Sequence, residues 1–130
     1  MKPRFRAWDK ELQTMLDVSL IDFKKGVLVG EHWEFGETNF MNFDEIVLMQ
    51  STKILDKNSQ EIFEGDILAF ETDDEVIKVN VFWDEEHALF MFESKKYNEQ
   101  ELLAELVENN TYPFEIIGNI YENPELLEDK

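Results

Sequence analysis

Apolar residues in this chain come in short, mostly alternating runs, each closed by a polar turn before it could complete a long helix. Runs of this kind bury one face of an extended strand, so a chain dominated by them folds into sheets. Phe5-Arg6-Ala7-Trp8 is the first, closed by Asp9-Lys10-Glu11. Thr14 to Phe23 reads as a second strand, with Met15, Val18, Leu20 and Phe23 facing inward. Lys24-Lys25-Gly26 turns the chain into Val27-Leu28-Val29, and Gly30 and Gly36 interrupt a stretch where Trp33 and Phe35 alternate with polar neighbours. Ile46-Val47-Leu48-Met49, within Phe43 to Gln50, is too short for a helix and suits a buried strand.

Further along, Asp56-Lys57-Asn58-Ser59-Gln60 is a turn between Ile54-Leu55 and Ile62-Phe63. Gly65-Asp66 opens a strand from Ile67 to Glu71, Val76 to Trp83 is the next, and Leu89-Phe90-Met91-Phe92 follows. Three sequential strands with short polar turns predict an antiparallel meander. One segment has helical spacing. Asn98 and Glu101 form a variant capping box, and Leu102, Leu103, Leu106 and Val107 line one face, giving an amphipathic helix over about 98–109. Asn109-Asn110 and Pro113 end it, Phe114 to Tyr121 is the last strand, and Asn123 to Leu127 is a closing turn.

The length of 130 residues suits one domain with a core of its own. There are no cysteines, which excludes disulfides and thiolate metal sites and fits a reducing cytoplasm. The basic N-terminal residues from Met1 to Arg6 precede no apolar signal core, so no export signal is expected, and the sequon-like Asn109-Asn110-Thr111 carries no glycosylation meaning. No apolar run approaches the roughly 20 residues that span a bilayer, so no membrane partner is expected. The extreme feature is charge: 30 acidic against 12 basic residues, a net charge of −18. A surface of that sign repels phosphate backbones and attracts basic partners. Direct nucleic-acid binding is not expected, and Trp8, Trp33 and Trp83 read as core residues rather than base-stacking platforms.

Motifs of catalysis are largely missing. Phosphate-binding glycine loops and a serine nucleophile elbow are absent, and no cofactor is implied. Asp56 to Gln60 resembles the start of a calcium loop but fails downstream, where Ile67 stands in place of the bidentate glutamate. His87 follows Asp84-Glu85-Glu86, and a metal-assisted hydrolase would use Asp84, Glu86 and His87 with Glu64 or Asp66. A solvated turn accounts for the same residues. Around Gly65, the pair Glu64 and Asp66 could divide acid and base work, but a positive-φ turn with Asp66 bonded to backbone amides explains it more simply. No catalytic, cofactor-binding or metal-binding residue is therefore assigned.

Three blocks together resemble a known family. They are Phe5-Arg6-Ala7-Trp8-Asp9-Lys10; Met49-Gln50 through Asp56-Lys57-Asn58 to Glu61-Ile62-Phe63-Glu64-Gly65-Asp66-Ile67; and Ile117-Gly118-Asn119-Ile120-Tyr121-Glu122-Asn123-Pro124-Glu125-Leu126-Leu127. In this order they resemble the YopX family of phage and prophage proteins. The resemblance implies a mainly β fold: an SH3-like β barrel over 43–121 with the helix inserted, an N-terminal β segment over 1–42, and a tail over 122–130, forming one domain. It also implies a phage-encoded protein working in the cytoplasm of a bacterial host, and it brings no activity with it. The motif residues Trp8, Glu64, Gly65, Asp66, Gly118, Asn119, Tyr121, Asn123 and Pro124 are read as structural. The family pattern carries glycine where Lys53 and Ser59 stand in this chain. Two functions remain open beside the hydrolase: a non-enzymatic interaction module for a basic host or phage protein, and a self-assembling homo-oligomer.

Overall fold

The computed structural model describes residues 4–109 and 113–128. The chain divides into two compact units, Met1–Ser51 and Thr52–Lys130. In the first lie β1 (Phe5–Asp9), β2 (Thr14–Asp22), β3 (Val27–His32), β4 (Thr38–Asn42) and, after a 3-10 turn at Phe43–Glu45, the start of β5 (Ile46–Leu55). β5 runs on into the second unit. There follow β6 (Glu61–Phe63), β7 (Asp66–Glu71), β8 (Val76–Asp84), β9 (Leu89–Ser94), β10 (Glu99–Leu102), the helix α1 (Leu103–Asn109), β11 (Phe114–Asn119) and a 3-10 turn at Pro124–Leu127.

The strands form two open sheets, in the orders β4-β3-β2-β1-β5-β6 and β10-β9-β8-β7-β11. The mainly β expectation and the β7-β8-β9 meander hold; the SH3-like barrel does not. A barrel over 43–121 would need the strand beginning at Ile46 to close the later sheet. Instead Ile46 to Gln50 pair antiparallel with Asp9 to Phe5, and β11 pairs with β7 and forms an edge. The backbone groups that would have closed the barrel are taken by the N-terminal strand.

Each unit has its own core. Ala7, Leu16, Leu28, Met41 and Ile46 fill the first, backed by Val18, Ile21, Phe43 and Leu48. Ile62, Leu68, Val79, Val81, Phe92, Leu103 and Phe114 fill the second, backed by Phe70, Ile77, Phe90 and Leu106 among others. Burying one such aliphatic or aromatic side chain contributes about 1.5–3 kcal/mol, which places the main stabilisation in these clusters.

Local differences from the sequence expectation have local causes. The β2–β3 register shifts between Val18 and Leu20, a bulge that resets the alternation, so Leu20 and Phe23 face solvent at 57% and 64% exposure while Ile21 turns inward. Trp33 is also exposed: it sits past the end of β3, and its indole N–H donates to Asp17 Oδ1 (2.9 Å). Trp8 is buried, and Trp83 is half-buried edge-to-face against Phe90. The amphipathic helix is shorter than expected. Asn98 takes a positive φ of 52° in a turn, and Glu99 to Leu102 pair with Ser94 to Met91 as an edge strand. An available strand edge satisfies those backbone groups directly, which leaves seven residues for α1, with Leu103 and Leu106 on the core. The helix stop at Asn110, the side chain of Val107 and the sequon-like segment fall outside the described residues.

Lys53 and Ser59, which replace glycines of the family pattern, both keep a left-handed backbone, with φ of 64° and 63°. A Cβ in that region costs about 1–2 kcal/mol. Ser59→Gly, at an exposed turn, is therefore expected to raise stability by about 1 kcal/mol, less the greater freedom of glycine in the unfolded chain. A urea titration measures this directly; a loss of stability would show that the turn is not strained.

Candidate functional site

Apart from Trp8, which lies in β1 of the first unit, the motif residues converge on one corner of the second unit. Gly65, at φ 86°, donates its N–H to the Val81 carbonyl and accepts the N–H of Ile120, both at 2.8 Å. Asp66, only 1% exposed, accepts the N–H of Phe63 (2.8 Å), and it stands opposite Asn119 where β7 meets β11. Asn119 Oδ1 accepts the N–H groups of Tyr121 and Glu122 (3.0 and 2.9 Å), and its Nδ2 donates to Glu122 Oε1 (2.8 Å). Asn123 Oδ1 in turn accepts the N–H of Asn119 (3.2 Å), and Pro124 opens the 3-10 turn that follows. Glu64 and Tyr121 are half-buried beside this corner.

Gly118 is the tightest point of the corner. A Cβ there would lie 2.5 Å from Asn123 Oδ1 and 2.8 Å from its Cγ. Asn123 cannot retreat without giving up the Asn119 amide. Gly118→Ala is expected to cost about 1–3 kcal/mol, the usual penalty of forced overpacking. Adding Asn123→Gly should recover much of that loss in a double-mutant cycle. Additive losses would show that the two residues do not meet.

Asp56, which resembled the start of an ion loop, has its carboxylate filled by backbone. Oδ1 accepts the N–H groups of Asn58 and Gln60 (2.9 and 2.8 Å), and Oδ2 that of Ile116 (2.9 Å). With Lys57 N–H on the Phe114 carbonyl (2.9 Å), the turn covers the outer edge of β11.

Of the hydrolase candidates, Asp84 and His87 meet as a pair in the turn after β8. Asp84 Oδ1 accepts the N–H of Glu86 (3.1 Å), and Asp84 Oδ2 pairs with Nδ1 of the exposed His87 (2.8 Å). The hydrogen bond from His87 holds the Asp84 carboxyl below its ordinary value. Among the described residues no three His, Asp or Glu side chains gather as a metal-binding group. At the far end of β8, Lys96 and Tyr97 both donate to Glu75, and those bonds lower its carboxyl likewise.

The first unit holds a polar chain that spacing did not reveal. Asp9 and His32 are each 2% exposed, and His32 Nε2 lies 2.9 Å from Asp9 Oδ2. Asn39 Nδ2 donates to His32 Nδ1 (3.0 Å), which places the imidazole proton on Nε2, directed at Asp9. Asp9 Oδ1 accepts the N–H groups of Glu11 and Leu12, both at 3.0 Å. Burial pushes the Asp9 carboxyl up, but the His32 hydrogen bond and the two amides outweigh it and hold it below the usual range. A carboxylate behind an imidazole can orient a base. Here both ring nitrogens are occupied and the ring is closed off from solvent, so the chain ties β1, β3 and β4 together. Twenty-three residues separate Asp9 from His32, and the only signal in the sequence was a polar residue at each strand end.

Charge is divided unevenly. The second unit carries 21 acidic and 6 basic residues, −15 of the total −18, while the first carries 9 and 6. The β10 edge of that unit is uniformly acidic. From Asn98 to Asn109 there are four glutamates, Glu99, Glu101, Glu105 and Glu108, all exposed, and no cation.

No helix among the described residues is long and apolar enough to cross a membrane. No curated protein matches the chain. Among solved structures, it is similar to protein EF1440 from Enterococcus faecalis, at 28% identity over 98% of this chain and 99% of that one, with a TM-score of 0.66. It is also similar in fold to the protein yopX from Bacillus subtilis, at 20% identity over 96% and 98% of the two chains, with a TM-score of 0.63. The family described as YopX protein matches residues 4–128. That match takes in both units, the Asp9 strand and the Gly65–Gly118 corner: the chain belongs to the YopX family of phage and prophage proteins.

Proposed function

We propose that this phage or prophage accessory protein is a non-enzymatic interaction module that captures a basic protein in the bacterial cytoplasm through the acidic edge of its second unit. The supporting observation is the charge placement: −15 in one unit, with four exposed glutamates and no cation along β10 and α1. A field of that sign steers a positively charged partner and speeds its capture. It also disfavours phosphate backbones, so the partner class is protein rather than nucleic acid. The motif residues read from the sequence, from Trp8 to Pro124, hold the scaffold, a reading supported by the side-chain oxygens of Asp66, Asn119 and Asn123, which accept backbone amides.

The test is affinity capture of the tagged protein from bacterial lysate at low and then physiological salt, with mass spectrometry. A dominant basic protein, recovered in falling amount as salt rises, is expected. An empty capture, or a yield unchanged by salt, would count against the module.

A further inference from the structure

The open edge of the first sheet has features that fit another copy of itself. β4 is the outermost strand, and it reads Thr38-Asn39-Phe40-Met41-Asn42, with neither charge nor proline to blunt it. Its backbone polarity follows from its pairing with β3. Phe43 donates to the Gly26 carbonyl (2.8 Å), and His32 donates to the Glu37 carbonyl (3.0 Å), so residues 37 and 43 direct their backbone groups at β3. By the two-residue period of an antiparallel ladder, Asn39 and Met41 do the same, while Thr38, Phe40 and Asn42 point theirs at the open edge. The contact from Asn42 N–H to the Glu45 side chain (3.4 Å) agrees with that direction.

Outward groups at 38, 40 and 42 are self-complementary. Two antiparallel copies of β4 centred on Phe40 bring Phe40 opposite Phe40, a pair able to exchange both backbone bonds, and Thr38 opposite Asn42, whose N–H must leave Glu45 Oε1 to complete its pair. Side chains reinforce the register. Leu20, Val29 and Phe40 stand directly opposite one another across β2, β3 and β4, with Leu20 57% and Phe40 67% exposed. Joining two such edges extends that row into a single apolar stripe through a Phe40–Phe40 pair. Charge points the same way. The first unit carries −3 against −15 in the second, and no charged residue of β4 faces another across the two-fold.

We infer that β4 is a homodimerisation edge, where two copies of this chain join into one continuous sheet about a two-fold axis at Phe40. Because each copy carries −18, the dimer tightens as salt rises, opposite to the capture of a basic partner.

Sedimentation velocity over a wide concentration range, at physiological and raised salt, should show a monomer–dimer equilibrium. Phe40→Glu and Phe40→Lys should each weaken the dimer by about a hundredfold, because like charges then meet on the axis. An equimolar mixture of the two variants should restore it. Phe40 is exposed, so both variants should keep the native circular dichroism spectrum, and the unmutated protein gives an independent reading. Amide exchange at Thr38 and Phe40 should slow with rising concentration, while that at Asn39 and Met41 stays constant. A monomer at every concentration and salt overturns the inference. So does a dimer that ignores both substitutions, a mixed sample that stays monomeric, or an edge occupied only by a strand of a different protein.

Discussion

Asp9→Ala is expected to destabilise the protein by about 3 kcal/mol, because a hydrogen bond to a carboxylate contributes ~1.5–3 kcal/mol and the buried His32 N–H is left without its acceptor. The Glu11 and Leu12 amides sit at an exposed turn and can regain water. The His32 imidazole N–H cannot, because the ring is 2% exposed with Asn39 on its other nitrogen. The orphaned donor, not the lost bond, is the larger part of the penalty. Adding His32→Leu should therefore return part of the stability, and the two losses should be strongly non-additive in a double-mutant cycle.

The same carboxylate sets a pH dependence with a definite sign. Its folded value lies below its unfolded one, so its contribution is fully present above the ordinary aspartate pKa of about 3.9 and disappears as pH falls through the lower folded value. Denaturant titrations between neutral and acid pH should show a shallower acid limb in Asp9→Asn than in the parent. A cost below about 1 kcal/mol for Asp9→Ala, in the range typical of exposed pairs, would show that water reaches the pair.

Asp56→Ala should cost about 3 kcal/mol, since hydrogen bonds to a charged group contribute ~1.5–3 kcal/mol each and the turn amides regain some water. One carboxylate here binds two amides of its own turn and the Ile116 amide 60 residues later. Loss of that link uncovers the β11 edge next to the point where its register with β7 shifts, between Ile116 and Gly118. Amide exchange at Ile116 should accelerate sharply in Asp56→Ala. Asp56→Asn, which keeps one acceptor oxygen, should fall between the two proteins. Unchanged exchange at Ile116 would place the turn's contribution elsewhere.

What could be read from the chain was whatever depends on near neighbours. Alternation located the strands from Val76 to Trp83 and around Phe90, because each pairs with its sequential neighbour and buries one face. Gly65 was legible as a positive-φ position for the same local reason. Features set by distant partners were not. The barrel expectation failed because nothing around Ile46 reveals that its pairing partner is Asp9 rather than a later strand. Leu20 and Phe23 were placed inward because a bulge at Ser19 leaves no mark in an apolar pattern. Glu99 to Leu102 have good helical spacing, but the free edge of β9 outcompetes one further turn of helix. The Asp9–His32 pair depends on three strands lying side by side, and Asp56 on a contact across half the chain. The uneven charge was present in the sequence, but it acquired meaning only once a boundary at Ser51 divided it.

The most direct test of the acidic interaction edge compares two baits in one capture experiment. The parent protein and a Glu99→Gln, Glu101→Gln, Glu105→Gln, Glu108→Gln variant are exposed to the same bacterial lysate at physiological salt and analysed by mass spectrometry. One dominant basic protein is expected on the parent and its loss from the variant, with the native fold kept in both. The same partner retained equally by both baits, or no partner on either, would contradict it.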